Sequence, residues 1–128
     1  MRAQWDDQLR RLLSEAVISG YVLVDQRDGT IIASFGELCC EFDVEPKIGC
    51  TLLRLFSAGV PQDALHVLGE KLVIVQRTEG SVYAVGRGKG MTANYLPCGI
   101  LATVYRQPNL ARTVVPLVEA ICDVLRQP

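Results

Sequence analysis

The sequence predicts an α+β fold in which helices pack on an antiparallel sheet. Short runs rich in β-branched residues follow one another with turn residues between them, a pattern typical of antiparallel strands. Apolar residues also recur at helical spacing near both ends of the chain. The 128 residues, of which 49% are hydrophobic and 21% charged, suffice for a compact core, so we expect residues 1–128 to form a single domain.

The first helix is predicted near the N-terminus, and a β-hairpin is predicted to follow it. Apolar residues at helical spacing are Trp5, Leu9, Leu12, Leu13 and Ala16. The two hairpin strands are predicted over 20–25 and 30–35. The segment between them ends in Asp28-Gly29, a dipeptide that favours tight hairpin turns.

A second helix and five more strands are predicted in the middle of the chain. The helix opens at Glu45-Pro46, because proline is tolerated at the first helical position. Its apolar stripe comprises Ile48, Leu52, Leu55 and Phe56. The strands are predicted over 65–68, 71–77, 81–87, 91–95 and 99–105.

The last helix is predicted from a second apolar stripe. Its members are Leu110, Val114, Leu117, Val118, Ile121 and Leu125. Pro116 would interrupt an established helix at a cost of about 3 kcal/mol. We therefore expect the regular helix to begin near Thr113.

Charge and hydropathy exclude several classes of protein. A formal net charge of −1 provides no overall field to attract nucleic acid. The first seven residues are too acidic and polar for a secretory signal peptide. The longest apolar run, 16–24, is far shorter than the roughly 20 residues of a membrane-spanning helix. We therefore expect a cytoplasmic protein that binds no nucleic acid.

The cysteines do not predict a metal site. They are Cys39, Cys40, Cys50, Cys98 and Cys122. No two of them have the CxxC spacing of structural zinc sites, so we expect reduced, mostly buried thiols. The vicinal pair Cys39-Cys40 is the candidate for oxidation sensitivity.

No catalytic constellation is visible, and we expect neither an enzyme nor a cofactor. His66 is the single histidine and has no Ser–Asp partners nearby in the sequence. The glycines of segment 86–90 lack the GK[ST] ending of a phosphate loop and join two predicted strands. The pair Asp6-Asp7 is better explained as helix N-terminal charge, and Asp25 with Asp28 as turn chemistry.

Several segments share their order and spacing with one protein family. Trp5 lies near the start of the first helix, and the hairpin turn is followed by segment 65–71, LHVLGEK, and segment 87–92, RGKGMT. Segment 99–125 then reads as a strand and a helix without gaps. In this order they resemble the profilins, small proteins that bind monomeric actin. The family's versions of the two middle motifs are Gly-Leu-x-Leu-Gly-Gly-x-Lys, here with Leu68 in place of one glycine, and Arg-x-Lys…Gly-Gly-Ile-Thr, here shortened.

The resemblance implies a profilin-like antiparallel sheet of five to seven strands. The N- and C-terminal helices would pack on one face and a shorter helix on the other. It also implies a cytoskeletal role: sequestering or delivering actin monomers and promoting nucleotide exchange on actin, as a monomer located in the cytoplasm.

The resemblance places the actin-binding residues on the later strands and at the start of the last helix. By position they are Lys71, Ile74, Arg87, Lys89, Thr92, Asn109, Arg112 and Val115. Arg112 stands where the family often has a small residue, and Val115 where it often has asparagine. From the residues alone, Arg87 and Lys89 could form a solvated hairpin corner, and Ile74 and Val115 could belong to the core.

The family's second site grips proline-rich peptides between the terminal helices, where aromatic rings form the walls for a polyproline II ribbon. The corresponding positions here are Trp5, Gln8, Ile32 and Val124. One aromatic wall of about four remains, so weak or absent polyproline binding is expected. Trp5 can equally be a residue that packs a helix on the sheet.

Two other functions stay open. Segment 17–25, VISGYVLVD, followed by Asp28-Gly29, also resembles roadblock and longin modules, which dimerise and hold GTPase or trafficking complexes together. Phosphoinositide headgroups could bind at Arg87, Lys89 and Arg112, which is compatible with the actin-binding role.

Overall fold

Seven antiparallel strands and three helices make up the part of the chain that the computed structural model describes: residues 4–38, 47–57, 63–67, 70–78 and 80–126, without the side chains of Gln4, Trp5 and Lys47. In chain order the elements are α1 (Gln4–Ser14), β1 (Gly20–Val24), β2 (Ile31–Gly36), α2 (Lys47–Leu55), β3 (Ala64–Val67), β4 (Glu70–Arg77), β5 (Ser81–Gly86), β6 (Lys89–Leu96), β7 (Gly99–Arg106) and α3 (Ala111–Arg126).

The strands form one sheet in the order β2-β1-β7-β6-β5-β4-β3. Strands β3 to β7 are a meander in which each strand pairs antiparallel with the next. The N-terminal hairpin joins this meander through β1, which pairs antiparallel with β7. The α+β fold with a sheet of five to seven strands is thus confirmed, at seven strands.

Helices cover the sheet from both sides, and this explains the apolar runs in its central strands. Every residue of β7 from Gly99 to Tyr105 is buried. Side chains alternate between the two faces of a strand. Ile100, Ala102 and Val104 join the core under α2. Leu101 and Tyr105 join the core under α1 and α3. The shorter helix therefore lies on the face opposite the terminal helices, as predicted.

A hydrogen bond and a cation–π contact hold α1 on the sheet. The Tyr21 hydroxyl donates to Asp6 Oδ1 at 2.9 Å, and Arg10 Nε lies 3.1 Å from Asp6 Oδ2. Burial, followed by the hydrogen bond to Asp6, raises the pKa of Tyr21 to about 12. The Arg10 guanidinium lies 4.3 Å from the centroid of the Phe35 ring. Asp6 therefore anchors the helix in addition to lying in its first, electropositive turn.

Two local predictions are wrong. Ala16 lies beyond the end of α1, is exposed and has a φ of 59°, so it does not belong to the apolar stripe. The last helix begins at Ala111, two residues before the expected Thr113, and contains Pro116. Pro116 and Arg112 are both exposed, so water can solvate the Arg112 carbonyl that loses its helical partner. The predicted start of α2 at Glu45-Pro46 lies outside the described residues.

Candidate partner-binding surface

Strand β4 shows an open sheet face on the side away from α2. Its side chains alternate: Leu72 and Ile74 pack into the core under α2, whereas Lys71 and Val73 lie on the other face and are exposed. Val73 is 49% exposed, and Val75, at a bulge in the pairing with β5, is 60% exposed. An apolar strand face of this kind is normally covered, so it marks a candidate binding surface.

Helix α3 covers the sheet only as far as β5, which leaves β4 and β3 open on that face. Val114 and Val118 are buried between α3 and the sheet. At its far side the helix is held to β5 by the Tyr83 hydroxyl, which donates to Glu119 Oε1 at 2.5 Å. Burial, followed by the hydrogen bond to Glu119, raises the pKa of Tyr83 to about 12. Strand β4 therefore lies beyond the edge of the helix.

The start of α3 borders this open face. Val115 and Arg112 lie one and two turns before Glu119, so they are on the side of the helix that faces β5. Arg112 is exposed and Val115 is half-buried. Two of the residues expected at an actin-binding surface thus flank the open strands.

An apolar strip connects β4 with α3. Val73 is the cross-strand partner of Val85. Val85 in turn lines a small pocket together with Leu110, which is 46% exposed and immediately precedes α3. We call Val73, Val85 and Leu110 the open-face strip. Lys71 and Arg87, both exposed, lie at its ends on β4 and in the turn between β5 and β6.

The expectation that Lys89 forms an exposed basic corner with Arg87 is wrong. Lys89 is only 7% exposed, and its Nζ lies 3.3 Å from Glu70 Oε2. Lys89 pairs across the sheet with Arg106, whose guanidinium bonds Glu37 and holds the pKa of that carboxyl below its usual range. Alternation along β6 directs Lys89 to the α2 side, away from the open face.

The side chains of three further expected site residues are engaged within the protein. Thr92 is fully buried, and its hydroxyl shares a hydrogen bond of 2.6 Å with the Thr103 hydroxyl. Asn109 Nδ2 donates to the Ala16 carbonyl at 2.6 Å and so ties the start of α3 to the end of α1. Ile74 packs against the core under α2, which agrees with the alternative that it is a core residue.

The expected proline-rich site corresponds to a groove between α1 and α3. The groove has a volume of about 470 Å³, and both Gln8 and Val124 line it. Its apolar walls come from aliphatic side chains such as Leu12 and Leu117, and no aromatic ring lines it among the described residues. Ile32, 53% exposed on β2, is not part of the groove, and the side chain of Trp5 lies outside the described part.

The described residues contain no cluster of three or more His, Cys, Asp or Glu side chains that could hold a metal ion. His66 is exposed on β3. Cys50 and Cys98 are exposed free thiols, contrary to the expectation of mostly buried ones, whereas Cys122 is buried and its burial raises its pKa to about 12. Cys39 and Cys40, the candidates for oxidation sensitivity, lie outside the described residues.

The open-face strip was not predicted from the sequence, although the pattern of β4 contains a signal for it. In segment 71–75, KLVIV, the residues of both faces are apolar after the lysine. A strand that is apolar on both faces must be covered on both, by the protein itself or by a partner. Leu110 was assigned to the apolar stripe of the last helix, but the helix begins after it.

Comparisons with known proteins agree with this architecture. The family model for profilins matches residues 3–128. The chain belongs to the profilin family. Profilin IA of Acanthamoeba castellanii has a similar structure, with a TM-score of 0.75, 20% identity and 96% of each chain covered. LokiProfilin1, solved in complex with rabbit actin, gives a TM-score of 0.72 and 18% identity, covering 98% of this chain and 96% of the other.

More distant similarity extends beyond the profilins. MglB of Myxococcus xanthus gives a TM-score of 0.63 with 12% identity, covering 97% of this chain and 93% of the other. Identities this low show the shared fold alone. Comparison with curated protein sequences gives no match. Within the described residues, this profilin has no helix with the length and apolar character needed to cross a bilayer.

Proposed function

We propose that this divergent profilin is a non-enzymatic protein that binds monomeric actin through the open sheet face, with residues 1–128 acting as one domain. Bound at this face, it sequesters or delivers actin monomers and promotes nucleotide exchange on them, as a monomer in the cytoplasm. The observation that carries the proposal is the open-face strip of Val73, Val85 and Leu110, uncovered beside the start of α3.

The composition of the surface supports this proposal. Its centre is apolar and its margin carries Lys71, Arg87 and Arg112, an arrangement of an apolar core and a polar rim that is common in protein interfaces. Val115 lies next to Arg112 on the same flank. LokiProfilin1, which has the same fold, has been solved with rabbit actin. Lys89 and Thr92 are buried, so we assign them a role in supporting the surface rather than in touching a partner.

Titration of fluorescently labelled monomeric actin tests the proposal. We expect saturable binding with a one-to-one stoichiometry. We also expect faster release of a labelled nucleotide from actin. Arg87→Glu should weaken this binding by at least threefold, because it reverses a charge at the margin. Absence of saturable binding of the wild-type protein to monomeric actin would contradict the proposed function.

Binding to a plain polyproline peptide is expected to be weak or undetectable. A polyproline II helix is held by flat rings stacked against proline faces, and the groove between α1 and α3 has aliphatic walls at Leu12, Leu117 and Val124. The measurement is Trp5 fluorescence during titration with a proline decamer, checked by calorimetry. Saturable binding as strong as that of an ordinary profilin in the same assay would show that other rings supply the missing walls.

The alternative of a roadblock or longin-type dimeric scaffold has less support. The profilin family model covers nearly the whole chain, whereas the similarity to MglB is lower in both TM-score and identity than the similarity to the profilins named above. Mass in solution separates the two functions, because a scaffold of that type would be a dimer. Phosphoinositide binding would depend on Arg87 and Arg112, since the ammonium group of Lys89 is engaged by Glu70.

A further inference from the structure

A small pocket lies where the turn between β5 and β6 meets the start of α3. Its volume is about 140 Å³, and Val85, Gly88, Tyr105, Leu110 and Ala111 are among the residues that line it. None of the described residues lining it is acidic. Because Val85 and Leu110 also belong to the open-face strip, the pocket adjoins the surface on which a partner would dock.

The Tyr105 hydroxyl is an unused donor in this pocket. Tyr105 is only 5% exposed, and its hydroxyl has no hydrogen-bond partner among the described residues. The ring lies directly against Gly90, where a Cβ would come within 2.3 Å of the hydroxyl oxygen. Burial raises the pKa of Tyr105, so the hydroxyl keeps its proton at neutral pH. The hydroxyl is therefore free to donate a hydrogen bond to a group bound in the pocket, in place of water.

The N-terminus of α3 supplies two more unused donors, one on Ala111, which lines the pocket, and one on the next residue, Arg112. Leu110 occupies the position before the helix, where its side chain offers no acceptor to cap the first turn. The N–H groups of Ala111 and Arg112 have no acceptor among the described residues, whereas those of Thr113 and Val114 both donate to the Leu110 carbonyl. The 16-residue helix adds a partial positive charge at this end.

We propose that this pocket receives a single carboxylate, the side chain of an aspartate or glutamate on the docked partner. The inference rests on the proposed function, because it assumes a partner on the open-face strip. The Tyr105 hydroxyl and the N–H groups of Ala111 and Arg112 are the donors, and the two carboxylate oxygens accept from them. The pocket thereby fixes the register of the partner on an otherwise apolar strip.

The donors favour a carboxylate over a phosphate. All three donors are uncharged. Lys89 is a cationic residue that also lines the pocket, but its ammonium group is already paired with Glu70 at 3.3 Å. Neutral donors at a helix terminus can hold a monoanion. A phosphate monoester carries nearly two negative charges at neutral pH and is usually bound with arginine or lysine. The positive charges of the exposed Arg87 and Arg112 steer the partner's carboxylate towards the pocket.

Acetate titration of the isolated protein tests the pocket without any partner. We expect the amide resonances of Ala111 and Arg112 to shift and saturate with sodium acetate at constant ionic strength, with sodium chloride as the reference. Tyr105→Phe keeps the ring against Gly90 and should weaken the response at least threefold. Inorganic phosphate should bind more weakly than acetate. An equal response in Tyr105→Phe, or tighter binding of phosphate, would overturn the assignment.

A second variant fills the site from within. Leu110→Asp places a carboxylate at the position before α3, where it can accept from the free N–H groups of the first turn. It should abolish the acetate response, whereas Leu110→Ala should preserve it. An undiminished acetate response in Leu110→Asp would show that these N–H groups do not form the site.

The actin titration separates this inference from the proposed function. If wild type binds monomeric actin, Tyr105→Phe should lower the affinity at least threefold. Unchanged affinity in Tyr105→Phe would overturn the partner carboxylate while leaving the proposed function intact. If wild type binds no actin, the proposed function fails, and acetate alone decides whether the pocket is a carboxylate site.

Discussion

Replacing Lys89 by glutamate is expected to destabilise the fold by about 3 kcal/mol, the lower end of the cost of breaking a buried ion pair. Lys89 is 7% exposed and pairs with Glu70 at 3.3 Å, whose side chain is 30% exposed, so water moderates the loss. The variant would place a second carboxylate beside that of Glu70, where the ammonium group of Lys89 now lies. The melting temperature should fall by about 10 °C.

Arg87→Glu is the matched control, because it makes the same charge reversal two residues away. Arg87 is exposed in the turn between β5 and β6, and no ion pair is recorded for it among the described residues. Its stability should change by no more than about 0.5 kcal/mol. Thermal unfolding followed by circular dichroism makes the comparison. Equal melting temperatures for Lys89→Glu and wild type would mean that the pairing with Glu70 contributes nothing to folding.

The contrast between Lys89 and Arg87 shows why the sequence predicts the fold more accurately than the positions of the site residues. The sequence patterns of helices and strands are local, and they placed the β1–β2 hairpin and the meander close to their observed bounds. The side of the sheet to which Lys89 points depends on where β6 begins. The predicted strand started at residue 91, whereas β6 starts at Lys89, which makes Lys89 part of the alternation.

The remaining site predictions depended on contacts between distant segments. Thr92 is buried because α3 crosses β6, and it pairs there with Thr103 of β7. Asn109 is engaged by the Ala16 carbonyl, 93 positions away. No spacing rule could reveal either contact. The sequence did contain the apolar alternation of β4, but only the packed structure shows that α3 stops at β5 and leaves Val73 uncovered.

Val73→Asp is expected to weaken binding to monomeric actin at least tenfold, a loss of about 1.4 kcal/mol. Val73 is the exposed centre of the open-face strip, and its cross-strand partner is Val85. A carboxylate there would have to be desolvated when a partner covers the strip, and it would have no cation directly opposite. The cost to folding should stay within about 1 kcal/mol, the span of strand propensity.

Val124→Asp is the matched control, because it makes the same substitution on another face of the protein. Val124 is 57% exposed, comparable to the 49% of Val73, and it carries the same side chain, but it lines the groove between α1 and α3. The two variants therefore add the same charge and remove the same apolar group from different faces. Titration of labelled monomeric actin at one salt concentration, with melting temperatures measured in parallel, should show a loss in Val73→Asp alone. An equal loss in both would point to net charge rather than to the strip, and undiminished binding in Val73→Asp would move the interface away from β4.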